Sequence, residues 1–294
     1  MIVLDCESTD SIYASLEAIA GAKRDEIESF LKTIDLSSSP RNHLLLDEFK
    51  RTFRTRLAYD ATYWFHLTRT TESMSFDQGI LPLGDCLDSI FAWLHRLLQD
   101  VVSAEQWAEF KKQCPQKAHN WSIAAEDYKR KTENRFHWGP YAILVRDHAF
   151  KPEEVDNHDY FSGPEIIEDI CYCFEEIYHI NVLNIFLEKT KPCIVKFIHD
   201  STESKYVRAA LWHLYAITRG EKCSSYCHDC FDGGAVPVRR DQILSREFPK
   251  YVAGKALSKS EHTGKPLMPV TIIAPDLNAE EPIPEQPKEK APPK

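Results

Sequence analysis

The sequence predicts an α+β fold made of helices and short, irregularly placed strands. Apolar residues recur at helical spacing over long stretches, and the strand-like segments are short and widely separated. Strands and helices do not alternate as they do in a parallel, doubly wound sheet. With 294 residues, 43% of them hydrophobic, the chain can bury a full core. We therefore expect a helical N-terminal portion followed by a mixed domain with several short strands and peripheral helices.

The predicted elements divide the chain into three parts. Residues 1–58 form a helical N-terminal portion, because helix-spaced apolar residues lie on both sides of a break at 37–40, with a second helical segment at 44–57. Residues 59–273 form the α+β main domain. Residues 274–294 are rich in Pro, Glu and Lys, a composition that predicts a disordered tail.

Two strands and a series of helices are the clearest elements of the main domain. Segments 63–68 and 193–198 have the β-branched and aromatic content of strands. Helices are predicted where apolar residues follow a 3.6-residue period, with Asp85 available to cap the first of them. The predicted helices begin near Gly84, Ser103 (ending at Cys114-Pro115), Pro164, Asn181 and Val207, and further extended pieces are predicted at 141–145, 235–238 and 243–248.

Charge and cysteine content restrict the class of protein. The formal net charge of −9 argues against general nucleic-acid binding, which needs a basic surface, and the basic run at 50–56 has the pattern of a solvated helix face. The nine cysteines are odd in number, so we expect free thiols in a reducing compartment. There is no signal-peptide pattern and no apolar stretch near ~20 residues. We therefore expect a cytoplasmic protein that does not enter a membrane.

An aromatic strand with one histidine is the most distinctive motif. Residues 63–69 read YWFHLTR, and residues 76–83 read FDQGILPL. This pair of segments resembles the opening of the ADP-ribosyltransferase fold, in which a strand histidine is followed by a Gly-Ile/Leu piece. Weaker echoes of the same family lie at 139–145 and 232–248, where the family often has a "VP…I" strand pair.

The resemblance implies an enzyme that uses NAD to modify a macromolecular acceptor, or that hydrolyses the nicotinamide bond, in a bacterial toxin or defence system. By resemblance, His66 would bind the NAD ribose, Thr68 would lie near the nicotinamide amide beside Arg69, and Tyr141 would stack on the nicotinamide ring. A carboxylate would stabilise the oxocarbenium-like state. Where the family has a glutamate, this chain has aspartates, and the candidates for that carboxylate are Glu247 and Asp232.

A second motif is a short loop rich in cysteine. Three thiols and an imidazole within eight residues suit Zn²⁺, for which thiolate and imidazole are the usual ligands. The proposed ligands are Cys223, Cys227, His228 and Cys230. A more distant fourth ligand, such as His213 or Cys193, is an alternative within the zinc hypothesis. The C-x3-C-x2-C spacing also matches the iron–sulfur motif of radical enzymes, and unligated thiols remain a third interpretation.

Two further patterns have simpler explanations. Arg208 and His213 have the spacing of helical RNases of the HEPN type, although a semi-buried helix histidine is the simpler explanation of His213. Among the paired acids, Glu175 and Glu176 point about 100° apart on a helix, so at most one of them faces a site. Glu165 is expected to interact with a helix N-terminus.

The residues also allow a different class of function. In it, the chain is a non-catalytic interaction or regulatory protein whose helical N-terminal portion and acidic surface bind a protein partner. His66 would then be a core histidine bound to a backbone carbonyl, and the cysteine loop would hold zinc or no metal. The two classes differ in one feature, because the enzyme needs His66, Tyr141 and one carboxylate in a single cleft.

Overall fold

The computed structural model describes residues 1–35, 44–117 and 123–250. In these residues it shows several helices around a mixed but mainly antiparallel sheet, which confirms the predicted α+β class. The predicted break at 37–40 and the predicted tail at 274–294 lie outside the described residues, as does the end of the main domain beyond 250. Within the described ranges, no helix has the length and apolar character needed to cross a membrane.

The sheet is built around one long strand, β2. The strands are β1 (Val3–Leu4), β2 (Ala61–Thr70), β3 (Tyr141–Ile143), β4 (Lys191–His199), β5 (Cys230–Asp232) and β6 (Ile243–Glu247). Their order is β5-β3-β2-β4-β6, with antiparallel neighbours throughout, and β1 pairs in parallel with the start of β2. The strongest pairing joins β2 and β4, the two strands whose composition made them clearest in the sequence.

The helices surround this sheet. They are α1 (Thr9–Ala20), α2 (Arg24–Thr33), α3 (Leu44–Phe53), α4 (Leu83–Leu98), α5 (Ala104–Lys117), α6 (Ile123–Glu133), α7 (Glu165–Tyr178), α8 (Val182–Lys189) and α9 (Ser204–Arg219). Helix α9 is buried along most of its length and packs with α1, α2 and α3 in the core on one face of the sheet. Helices α4–α8 have their own core, which includes Trp107, Phe110 and Phe174.

The two faces of the sheet follow from strand alternation. Trp64 on β2 shares the α9 core with Val195 on β4 and Phe231 on β5. Phe65 and Ile194 point to the other face, into a smaller apolar cluster. Because a strand residue and its direct cross-strand partner lie on the same face, this alternation determines which predicted site residues can meet.

Three helix boundaries differ from the sequence prediction. The first helical region is two helices, because Gly21 adopts a left-handed conformation (φ 67°) that ends α1. Helix α4 begins at Leu83 after Pro82, so Asp85 lies within its first turn and not at its cap. Helix α5 runs past Pro115 to Lys117, because a proline in the final turn removes only one hydrogen bond near the helix end.

Candidate metal centre

Three parts of the chain converge beside the C-terminal half of α9. A 3-10 turn after β3 (Arg146–Phe150) carries His148, α9 carries His213, and the loop after α9 carries Cys223. The donor atoms of these three side chains all lie within 4.8 Å of one another, so the cluster can hold a metal ion. His148 and His213 are buried, and Cys223 is partly buried.

The distances within the cluster match a tetrahedral zinc site. His148 Nε2 lies 3.2 Å from His213 Nδ1, and Cys223 Sγ lies 3.5 Å from the same Nδ1. With Zn–N bonds near 2.05 Å and a Zn–S bond near 2.3 Å, tetrahedral angles place two nitrogens about 3.4 Å apart and a nitrogen and a sulfur about 3.6 Å apart. Two of the three donor pairs are therefore spaced as ligands of one ion would be, and the third pair lies within 4.8 Å.

His148 is in the form that binds metal. Burial lowers the pKa of His148 to about 2, and the neighbouring His213 and His228 lower it further, so its ring is neutral at physiological pH. Among the described residues, His148 Nδ1 and His213 Nε2 are buried without a hydrogen-bond partner. These are the other ring nitrogens of the two histidines, and the nitrogens that a bound cation would contact are His148 Nε2 and His213 Nδ1, which meet in the cluster.

The two thiols nearest the cluster form a pair. A hydrogen bond joins the Cys223 thiol to Cys227, and this bond and burial raise the pKa of Cys223. The same bond lowers the pKa of Cys227, although burial opposes the shift. The Ser224 amide also donates to Cys227 Sγ, at 3.5 Å. Cys227 is fully buried and is the more acidic thiol of the pair.

The structure divides the zinc ligands predicted from the loop into two groups. Cys223 belongs to the cluster, and Cys227 is hydrogen-bonded to Cys223. His228 and Cys230 form a separate pair, in which Cys230 Sγ lies 2.9 Å from His228 Nε2. The two histidines of the cluster are His213, which the sequence suggested as a distant fourth ligand, and His148, which sequence spacing did not reveal.

The histidine of the aromatic strand makes a backbone contact. His66 Nδ1 lies 2.7 Å from the Tyr141 carbonyl oxygen, and burial lowers the pKa of His66 although this contact opposes the shift. His66 lies on the same face of the sheet as Trp64. The Tyr141 side chain lies on the opposite face, with Ile143, and its hydroxyl donates to the Phe136 carbonyl at 2.7 Å.

The two candidate carboxylates lie at opposite edges of the sheet. Asp232 on β5 is directly opposite Tyr141 on β3, so these two side chains share a face. Glu247 is on β6, four strands from β5 or roughly 19 Å away. There it accepts a hydrogen bond from Arg146 at 2.7 Å. Tyr141 and Asp232 are therefore neighbours, and Glu247 is remote from both.

The remaining predicted NAD contacts lie farther along β2. Thr68 pairs with Cys193 on β4. Arg69 donates hydrogen bonds to the carbonyl oxygens of Phe161, Leu187 (2.9 Å) and Thr190 (2.8 Å). Its guanidinium therefore joins β2 to the end of α8 and to the loop before α7.

Comparison with protein-family models, with curated proteins and with solved structures gave no match. The resemblance of 63–83 to ADP-ribosyltransferases thus stays a prediction from sequence. Function has to be argued from the chemistry of the residues that the fold brings together.

Proposed function

We propose that this chain is a zinc-binding, non-catalytic interaction or regulatory protein. Zn²⁺ is held by His148, His213 and Cys223, with Cys227 as the fourth ligand. The observation that supports this best is the spacing of the three convergent donors, 3.2 Å between nitrogens and 3.5 Å between nitrogen and sulfur.

The donor set favours zinc over other metals. Two neutral imidazoles and two thiolates form the Cys₂His₂ combination of structural zinc sites, whereas Mg²⁺ and Ca²⁺ require oxygen ligands. Cys227 has a lowered pKa and is hydrogen-bonded to Cys223, and we propose that its thiolate turns to face the ion. Binding then displaces the proton of Cys223.

We propose a non-catalytic protein because the proposed zinc site is closed. Four protein ligands leave no coordination position for a substrate or a reactive water, so the ion supports the fold and performs no chemistry. The position of the cluster agrees with this role. The loop from Cys223 leads directly into β5, and the Leu144 amide donates to the Asp229 carbonyl within it, so zinc would attach the loop and β5 to α9.

The edge of the sheet next to this loop carries exposed apolar side chains. Phe136 is 85% exposed and Val236 is 63% exposed, on two turns that are joined by the hydrogen bond from the Ala235 amide to the Gly139 carbonyl. Large exposed apolar groups close together are typical of protein-binding surfaces. We propose that zinc stabilises the edge that meets a protein partner.

Zinc content tests this function. The purified full-length chain is expected to contain one zinc per molecule by elemental analysis, and Cys223→Ser and Cys227→Ser are expected to lose it. Cys230→Ser is the matched control, because it removes a thiol from the same loop but outside the cluster, and it should retain zinc. A wild-type chain that binds no zinc from a zinc-supplemented medium would contradict the proposal.

A second candidate function is NAD-dependent ADP-ribosyl transfer or NAD hydrolysis. One observation favours it: Tyr141 and Asp232 are cross-strand neighbours, and His66 contacts the Tyr141 carbonyl, so three of the predicted residues lie at one strand end. Against it, the side chains of His66 and Tyr141 point to opposite faces of the sheet.

Thermal unfolding with and without millimolar NAD⁺, with nicotinamide release followed in the same sample, tests this second function. If the chain binds NAD⁺ at ~100 times its dissociation constant, the free energy of unfolding rises by about 2.7 kcal/mol, and Asp232→Asn removes nicotinamide release. An unchanged unfolding temperature together with no nicotinamide would remove the second candidate and leave the zinc proposal intact.

A further inference from the structure

A cavity of about 260 Å³ lies between the connection after β2 and the last strand of the sheet. None of the residues that line it belongs to the metal centre. Its walls are Ser75, Phe76, Asp77, Arg240, Ile243, Leu244, Ser245 and Arg246. The wall therefore combines two guanidinium groups and two hydroxyls with three apolar side chains and a single carboxylate.

We propose that this cavity binds a phosphate monoester whose other end is a small apolar group. Arg240 and Arg246 supply two positive charges, which a phosphate dianion matches better than a carboxylate does. Ser75 adds a hydroxyl donor. A concave surface with an apolar part and a few polar groups is the usual form of a small-molecule site.

Arg246 is held in place before any ligand arrives. Its guanidinium donates to the carbonyl oxygens of Met74 and Glu72, the latter at 3.3 Å. A guanidinium has five N–H donors, so two bonds to the protein leave others for a ligand. These contacts are to neutral carbonyl groups, and the Glu72 carboxylate, which also interacts electrostatically with Arg246, is itself bonded to Lys191.

Arg240 is the more adaptable cation. Its Nε lies 3.7 Å from Asp77 Oδ1, and both side chains are well exposed, so this ion pair contributes little and can yield to a phosphate. Asp77 itself would repel the ligand. Removing the Asp77 charge should therefore strengthen binding, whereas removing either arginine charge should weaken it.

The apolar part of the wall sets the choice of ligand. Phe76, Ile243 and Leu244 line the cavity, and Leu244 is 49% exposed in the absence of a ligand. Burial of this surface by an apolar group of the ligand stabilises the complex, and a bare phosphate ion has no such group. Phenyl phosphate is therefore expected to bind more tightly than inorganic phosphate, and benzoate, with its single charge, more weakly than phenyl phosphate.

Isothermal titration of the full-length protein with phenyl phosphate tests the site. Arg240→Gln and Arg246→Gln are each expected to weaken binding at least about ten-fold, the effect of losing a charged hydrogen-bond donor. Asp77→Asn is expected to tighten it. Arg239→Gln is the matched control, because Arg239 is adjacent in sequence but is bonded to Asp241 at 3.0 and 3.2 Å and does not line the cavity.

The pattern of the four variants decides the outcome. Weakening in Arg240→Gln, tightening in Asp77→Asn and no change in Arg239→Gln would establish the site. Equal weakening in Arg239→Gln and Arg240→Gln would show that binding depends only on the net charge of the protein, which would overturn the proposal. The absence of phenyl phosphate binding would also overturn it. Arg240 is exposed, so its variant tests the proposal even if Arg246→Gln does not fold.

Discussion

His148→Ala is expected to abolish stoichiometric zinc binding and to lower the free energy of unfolding by about 4 kcal/mol in the presence of excess zinc. The magnitude corresponds to losing a ligand that is present at about 1,000 times its dissociation constant. His148 contributes one nitrogen of the cluster from a turn far from the other ligands in sequence, so the remaining residues cannot replace it locally. Denaturant unfolding with and without zinc measures the difference.

His228→Ala is the matched control for this experiment. It removes an imidazole from the neighbourhood of His148, with ring centroids 5.9 Å apart, but one whose Nε2 contacts Cys230 and not the cluster. The variant should keep its zinc and its zinc-dependent stability. If His148→Ala kept both while His228→Ala lost them, the ion would belong to the Cys223–Cys230 loop alone.

Trp64→Ala is expected to lower the free energy of unfolding by about 3–5 kcal/mol, the usual cost of removing a large aromatic side chain from a core. Trp64 is fully buried at the centre of β2 and packs edge-on against Tyr206 of α9, with centroids 4.8 Å apart, and against Phe231 of β5. Its indole N–H donates to Ser201 Oγ at 3.0 Å. Chemical denaturation followed by circular dichroism measures the loss.

Trp64→Phe separates packing from the hydrogen bond. It retains an aromatic ring but removes the indole N–H, and is expected to cost about half as much or less. If both variants cost less than about 1 kcal/mol, β2 would not be the centre of the core. The NAD site that the resemblance predicts around His66 also lies on β2, and its position would then lose its support as well.

The sequence predicted the fold class because its signals are local. The β-branched and aromatic content of β2 predicts a strand, and the apolar period of α9 predicts a helix. The predicted stop of α9 at Gly220 is confirmed, because Gly220 adopts a left-handed conformation (φ 68°) in the structure. The predicted cap of α4 was wrong, because Pro82 is at the N-cap position and Asp85 lies within the first turn. Local spacing alone does not distinguish these two positions.

The metal centre was only partly visible in the sequence because its ligands are far apart along the chain. Cys223 and Cys227 were found from their spacing, whereas His148 lies 65 residues before His213 and is brought to it by the turn after β3. The relative positions of the His66 and Tyr141 side chains likewise depend on segments that are far apart in the chain. Strand register determines that their side chains point to opposite faces, and no feature of either segment reveals that register.

X-ray absorption at the zinc edge of the zinc-loaded full-length protein tests the central claim most directly, because it reports the number and type of ligand atoms. We predict two sulfurs at about 2.3 Å and two imidazole nitrogens at about 2.0–2.1 Å. Three sulfurs and one nitrogen would contradict this account, because that combination requires a third thiolate, such as that of Cys230, in place of one of the two cluster histidines. One sulfur, two nitrogens and an oxygen would contradict the closed, non-catalytic site.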